Sequence, residues 1–486
     1  MSQKSEENPL KKNLLLVIFV YVTMTYFGVA EGVKGVTLPT IKEELGNGYD
    51  LQGVLLAITG YGYVIFCIIA TYVQDKLGSK VSFTFGFSLC CIGCILCYFA
   101  SSFITCMLGF LFFMMGFGFF EISLNYVSTG VFNKCSAIFM NLMHFFYGLG
   151  AILGPWFASL FITLLQQSFH GPYIALIVPT ILLFFFALFM NFKAVTDVCK
   201  DEQQTRKKEK KSTCSWLSNK YVWILGICLG VMELGEFGAM NWGGLYFKDL
   251  YGYDPTIQGA SFVSIFYGFF TFSRLISGFW IEKVGLLKSL YISCVVTIII
   301  LAIGFSVGEY GLYILPISGF FLAIMWPTLM CYAMTIFEKN TPIASSVIIV
   351  ISGALHNILQ LICGFINQYI GYVWGYRSNT IYMIIPIIML AIADCNHKKD
   401  LKEIEKKDND KNKEDVEMQS IEETTDSRDI SQDHVNHETP ENSIPCDSSI
   451  INNNDDSCKK NIDDNNNIYK EKEQRVCTTN DIIQNH

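Results

Sequence analysis

Long apolar stretches recur twelve times between residues 13 and 394 of this 486-residue chain. Crossing a bilayer takes ~20 apolar residues in helical form, and no water is there to satisfy a bare backbone amide. Stretches of this length therefore read as membrane-spanning helices. The expected spans 1 to 12 cover residues 13–38, 51–73, 81–100, 103–131, 139–165, 173–192, 221–247, 256–280, 288–306, 311–336, 343–370 and 376–394. The pattern predicts an all-α membrane protein of about twelve transmembrane helices.

Lysine and arginine set the orientation. Lys4, Lys11 and Lys12 precede span 1. Lys193, Lys200, Arg206, Lys207, Lys208, Lys210, Lys211 and Lys220 fill the segment 193–220. Lys76, Lys80, Lys134, Lys283, Lys288 and Lys339 fall on the same side, and the other side offers little beyond Lys42, Lys248 and Arg377. The positive-inside rule then predicts cytoplasmic termini and a cytoplasmic central segment. Span 1 is too long for a cleavable signal peptide and lacks its small-residue cleavage site. The expected organisation is an N-terminus 1–12, a six-helix bundle 13–192, a linker 193–220, a second bundle 221–394 and a tail 395–486. From Cys395 on there are 13 basic and 23 acidic residues, leaving 22 basic and 20 acidic elsewhere. The net charge of −8 is therefore a property of the tail and not a surface for nucleic acid. The tail is rich in Asn, Asp, Glu, Lys and Ser, offers little apolar surface to bury, and is expected to be disordered.

A short charged pattern occurs twice, each time between two apolar runs. The first copy is TYVQDKLGSK, Thr71 to Lys80, and the second is GFWIEKVGLLK, Gly278 to Lys288. Both place an acid, a lysine and a glycine at the same offsets: Asp75, Lys76 and Gly78, then Glu282, Lys283 and Gly285. One copy is an ordinary positive-side loop; two copies in register mark an internal repeat. The pattern resembles the signature loop of the major facilitator superfamily, found between helices 2 and 3 and again between helices 8 and 9. That resemblance implies two six-helix bundles in the major facilitator fold and a substrate site at their interface near the midplane. It also implies alternating access by rocking of the halves. The loop residues, with Arg274 in span 8, are candidate gating residues.

Ionisable side chains inside spans are costly and usually functional. Here they are Glu31 and Lys34 in span 1, Glu121 in span 4, His144 in span 5, Glu233 and Glu236 in span 7, and His356 in span 11. Glu31 and Lys34 lie three residues apart on one face and can pair, which is also their bland explanation. Glu121 and Asn125 form a polar stripe four residues apart on span 4. At ~1.5 Å per residue, Glu236 lies ~23 Å into span 7, His356 ~20 Å into span 11 and Trp326 ~23 Å into span 10. At those depths they can line one cavity. His356, Asn357 and Gln360 suit either sugar hydroxyls or an interhelical polar cluster. Glu233 reads as structural. Asn141 and His144 begin span 5, near the cytoplasmic face. Desolvation disfavours an ionised carboxylate, so one placed in such a cavity can load and release a proton.

Around these residues the chain is similar to the fucose permease, or fucose:proton symporter, family and its glucose/galactose permease relatives. The stretches concerned are GVAEGVKGVTLP in span 1, GFGFFEISLN in span 4, NLMHFFYGLGAILGP in span 5, ELGEFGAMNW in span 7 and AIMWPTL in span 10. The resemblance covers residues 14–394 and implies proton-coupled uptake of a monosaccharide. Glu121 is then the leading proton-binding residue, with Glu31 and Glu236 behind it. Asn125, Asn241, His356, Asn357 and Gln360 become candidate hydroxyl partners, and Trp242 and Trp326 either stack on a sugar or simply pack. The expected partners are the solute, protons and the lipid bilayer; one twelve-helix chain can in principle transport alone as a monomer, no cofactor is expected, and a plasma membrane is the default. Two departures stand out. Lys34 would change the coupling or favour a more anionic ligand, and Thr71 replaces the usual loop glycine. The run Gly148, Gly150, Gly154, Pro155 also resembles a motif of proton-driven drug antiporters. Export of a drug or metabolite is therefore a second reading, and a nutrient sensor signalling through the tail is a third. No nucleophile motif points to an enzyme. Cys90, Cys94 and Cys97 share one face of span 3, where packing thiols are expected and a metal site is not.

Overall fold

The computed structural model describes residues 14–131, 136–166, 168–192, 216–337, 341–403 and 406–407. The N-terminus 1–12, most of the linker 193–220, Lys134, Lys339 and the tail beyond 407 lie outside the described residues. Eleven helical elements in the described part are long and apolar enough to cross a membrane. They are α1 (Leu14–Glu44), α2 (Tyr49–Tyr98), α3 (Phe103–Val131), α4 (Ser136–Leu164), α5 (His170–Phe189), α6 (Lys220–Tyr251), α7 (Ala260–Val284), α8 (Leu286–Ser306), α9 (Gly308–Phe337), α10 (Thr341–Phe365) and α11 (Trp374–Glu403).

The element α2 runs for 50 residues. That is roughly 75 Å of helix against ~30 Å of hydrocarbon, so it must be two crossings. They meet at Gly78, the non-helical residue inside α2, with φ 83° and ψ 172°. Gly285, between α7 and α8, has φ 92° and ψ 150°. Only glycine tolerates this region of backbone space at low cost. Both copies of the repeated charged pattern therefore turn on a glycine in nearly the same conformation. With α2 counted as spans 2 and 3, the elements α3 to α11 carry spans 4 to 12. Two ends extend past the sequence reading. Pro39 does not stop α1, which continues to Glu44, and α11 continues past Asp394 to Glu403. There Asp400 accepts a hydrogen bond from the Tyr221 hydroxyl (2.5 Å) and pairs with Lys220 at 3.0 Å. Hydropathy misses such ends because the backbone ladder outlasts the apolar run.

Within the first half, α1 packs on α4 backbone to backbone. A methyl group added to Gly28 would run into the Tyr147 carbonyl, and one on Gly154 would lie 2.5 Å from the Val29 carbonyl. Small residues let helices approach this closely in lipid, where packing and not water exclusion holds them together. The thiols of Cys90, Cys94 and Cys97 are fully buried, and Cys90 Sγ donates to the Phe113 carbonyl at 3.7 Å. They pack span 3 on α3, as expected.

The two halves meet along three helix pairs: α1 with α6, α2 with α10, and α4 with α7. The described contacts concentrate toward the end remote from Leu14. The Tyr61 hydroxyl donates to Ala354 O (3.1 Å), and Ser264 Oγ donates to Ile152 O (2.8 Å). At the rim, α1 ends in Lys42-Glu43 and α6 in Lys248-Asp249. The pairs cross over: Lys42 Nζ lies 3.8 Å from Asp249 and Lys248 Nζ lies 2.5 Å from Glu43. Tyr49 joins them, donating its hydroxyl to Asp249 and lying under Lys42 Nζ at 4.2 Å from the ring centre. The Tyr49 amide donates to Gln368 Oε1 at 2.8 Å. This clasp closes that end of the molecule.

Two outcomes follow from these contacts. A Cβ on Gly78 or Gly285 would meet nothing within 4 Å, so Gly78→Ala and Gly285→Ala should each cost about 1–3 kcal/mol through backbone strain alone. Thermal unfolding in detergent would show a lowered midpoint for both; unchanged midpoints would refute the strain. Lys42→Glu should part the clasp, and adding Asp249→Lys should restore it. A cysteine at Val64, which packs on Gly353 across the interface, reports this. Its maleimide labelling should rise in the single variant and fall again in the double.

Candidate functional site

The close approach of α1 and α4 brings Tyr147 to the acid of span 1. Glu31 is buried, and its two oxygens are both engaged: Oε1 with Lys34 Nζ at 3.1 Å and Oε2 with the Tyr147 hydroxyl at 2.7 Å. Lys34 is buried too, and its remaining described contact is Met114 Sδ at 3.6 Å. The expected pairing of Glu31 and Lys34 is therefore present, and Tyr147 completes it. The signal for Tyr147 in the sequence was its place directly before the glycine run that seats α4 on α1.

Across the interface, Glu236 on α6 is approached by the Tyr267 hydroxyl of α7 at 3.5 Å, and the same hydroxyl lies 3.2 Å from Met240 Sδ. Tyr147 interacts electrostatically with both Tyr267 and Glu236, so the acids of the two halves share one polar centre. On α3, Asn125 Nδ2 donates to Glu121 Oε1 (2.9 Å) and to the Glu121 carbonyl (2.8 Å). Glu121 in turn interacts electrostatically with Glu31 and with Arg274. The centre thus draws on α1, α3, α4, α6 and α7, with Glu121, Glu31 and Glu236 all in it.

The candidate hydroxyl partners are placed differently. Trp242 is 1% exposed and donates from Nε1 to Gln360 Oε1 at 2.7 Å. It packs, and in this closed arrangement it presents no face to a sugar. Asn357 is buried against Gly60 of the other half. His356 packs its ring 4.8 Å from Phe237, centre to centre. Buried polar atoms without hydrogen-bond partners remain among this group: Asn241 Oδ1, His356 Nδ1 and Gln360 Nε2. Such orphans are expensive, and solute hydroxyls or water would satisfy them. Trp326 is 43% exposed on α9 and is not one of these buried groups. Glu233 lies one turn before Glu236 on α6, and the Ser352 hydroxyl of α10 donates to its own helix at Ile349 O (3.0 Å).

The gating group splits. Asp75, Lys76, Glu282 and Lys283 are all exposed at the two glycine turns, as their loop position predicts. Arg274 is not with them. It sits mid-way along α7, partly buried, with its guanidinium carbon 4.5 Å from the Phe270 ring centre. Its charge interacts with Glu121, His144 and Glu236 on three other helices. Arg274 lies inside span 8, two helical turns before Glu282, apart from the loop residues with which it is grouped as a gating candidate. The rim clasp was also missed, although the same lysine–acid dipeptide closes α1 and α6. Among the described residues no cluster of histidine, cysteine and acid side chains could hold a metal ion.

A sequence model of the Major Facilitator Superfamily matches residues 14–358, and no curated protein matches the chain significantly. Solved structures resemble it at low identity. The nucleoside transporter NupG gives a TM-score of 0.63 at 15% identity, over 79% of this chain and 98% of that one. A bacterial homolog of the human lysosomal transporter Spinster, inward-facing and unoccupied, gives 0.62 at 13%, over 82% and 98%. The E. coli fucose:proton symporter FucP gives 0.50 at 17%, over 78% and 98%. At such identities the likeness establishes the fold. Twelve helical crossings among the described residues, a polar centre where the halves meet and the match over residues 14–358 together place this chain in the Major Facilitator Superfamily, as an integral, multi-pass membrane transporter.

Proposed function

We propose that the protein carries a small polyhydroxylated solute, a monosaccharide in the first instance, together with a proton by alternating access. The observation that supports this most is the shared polar centre. Glu31 lies within electrostatic reach of both Glu121 and Glu236, and each of the three carboxylates has a hydroxyl or amide donor beside it. Such a group can take up a proton from one side and lose it to the other. Protonation removes the cost of dragging a bare charge through a closed, poorly hydrated state, so the loaded carrier can rock. The orphaned polar atoms of Asn241, His356 and Gln360 supply hydrogen-bonding capacity for hydroxyls. A nucleoside transporter and a fucose:proton symporter among the structural neighbours agree with a hydroxylated cargo. With the positive-inside orientation, the clasped end faces away from the cytoplasm, and a plasma membrane location with uptake as the direction is the matching assignment.

The two features behind the export reading have local partners: Gly150 and Gly154 of α4 pack on α1, Gly148 meets Thr271 of α7, and Lys34 pairs with Glu31. Glu121 remains the leading proton carrier, since its partner Asn125 can serve either protonation state.

In proteoliposomes with an imposed inward proton gradient, the wild-type protein should accumulate one or more labelled monosaccharides. Glu121→Gln should lose gradient-driven accumulation while retaining counterflow exchange of the same sugar. Loss of exchange as well would assign Glu121 to binding instead of coupling, and sugar uptake indifferent to the gradient would overturn proton symport.

A further inference from the structure

Arg274 has no ion-pair partner. Among the described residues no carboxylate lies within 4.0 Å of its side-chain nitrogens, and its buried Nε lacks a hydrogen-bond acceptor. The other interior cation, Lys34, is committed to Glu31. An arginine inside a membrane protein that makes no contact ion pair, and whose charge Glu121 and Glu236 meet only at longer range, is costly and marks a place for a ligand. Its placement says which. On α7, Tyr267, Thr271 and Arg274 follow one another at helical spacing on one face. Tyr267 touches Glu236, and Thr271 packs on Gly148 of the other half. Arg274 stands one turn beyond Thr271 with part of its surface accessible, and its charge reaches His144 and Glu121 of the first half. Phe270 supports the guanidinium from one side, which leaves the edge donors for a planar, bidentate acceptor.

We propose that Arg274 is the seat of an anionic group on the transported molecule, so that the cargo is a sugar acid, a monosaccharide bearing a carboxylate. This rests on the sugar-carrier reading above and narrows it. The charges around the seat couple anion and proton. Arg274 faces Glu121 on α3, Glu236 on α6 and His144 on α4. Tyr267 lies on its own helix face, and Tyr147 and the Glu31–Lys34 pair form the wall beyond; Glu233 is one turn from Glu236. While Glu121 and Glu236 are ionised, they compensate the arginine and repel an anion. A proton on either leaves Arg274 with charge to spare. Proton loading and anion binding then favour each other reciprocally, and the loaded centre gains no net charge.

The full-length protein in proteoliposomes would be given labelled glucose, glucuronate, glucose 6-phosphate and lactate, with an inward proton gradient and the membrane potential clamped at different values. Glucuronate should be preferred to glucose, and its uptake should not respond to the potential, because one proton enters with one negative charge. In Arg274→Gln the ratio of glucuronate to glucose uptake should fall roughly tenfold or more, with Arg274→Lys in between. Glucuronate should also raise the unfolding midpoint of the wild-type protein more than glucose does, a readout that holds even where the variant fails to fold. Uptake of glucose with glucuronate ignored, or an unchanged ratio in Arg274→Gln, would overturn the seat and leave the sugar reading standing. Arg274-dependent uptake of lactate alone would keep the seat and remove the sugar reading. Preference for glucose 6-phosphate would reassign the seat to phosphate and overturn the carboxylate. Transport of none of the four, with no stabilisation, would overturn both.

Discussion

The contact between the glycines of α1 and the backbone of α4 is the constraint on which the centre of this protein depends. Lipid offers no hydrophobic force to press two helices together, so their separation is set by what their facing residues allow. With Gly28 against Tyr147 and Gly154 against Val29, the axes come close enough for a tyrosine on one helix to reach a carboxylate on the other. Glu31 then holds both a lysine and a hydroxyl, and a buried acid becomes tolerable. A bulkier residue at Gly28 would do more than open a gap. It would withdraw Tyr147, leave Glu31 with one partner and disturb the field at Glu121 and Glu236.

Much of this was legible in the sequence, for identifiable reasons. Helices in lipid are written in hydropathy, and the repeated acid–lysine–glycine pattern named both glycine turns before either was seen. The Glu31–Lys34 pair and the Glu121–Asn125 stripe follow from helical spacing on a single element. What stayed hidden depends on contacts between elements. Nothing in span 8 says that the charge of Arg274 reaches three other helices. Tyr147 and Tyr267 look like ordinary aromatic residues of an aromatic-rich chain until a second helix supplies the carboxylate. Trp242 and Gln360 sit on different helices, and their hydrogen bond turns a residue suited to stacking into one that packs. Depth along a helix can be counted from sequence; the direction in which a side chain points toward a neighbour cannot.

Among the described residues the interior has four carboxylates and two fixed cations, and these are used unequally. One cation is spent inside its own helix on Glu31. The other stands at the interface, shared at a distance by acids of both halves. Charges that act across a moving interface change their mutual energy when the halves rock, whereas a pair on one helix travels as a unit. The first arrangement can sense the state of the carrier, and the second can only make a buried charge affordable.

The clasp at the rim has a consequence of a different kind. Its two bridges exchange partners between α1 and α6, and its lysines and Asp249 are only partly shielded while Glu43 is 63% exposed. It is thus wetted by one aqueous compartment alone. Salt screens exposed charges strongly and partly buried contact pairs much less, so only salt on that side can reach the clasp, and it acts chiefly through the exposed Glu43. One face of the closed state is thereby tied to the medium it meets, before any solute or proton has bound.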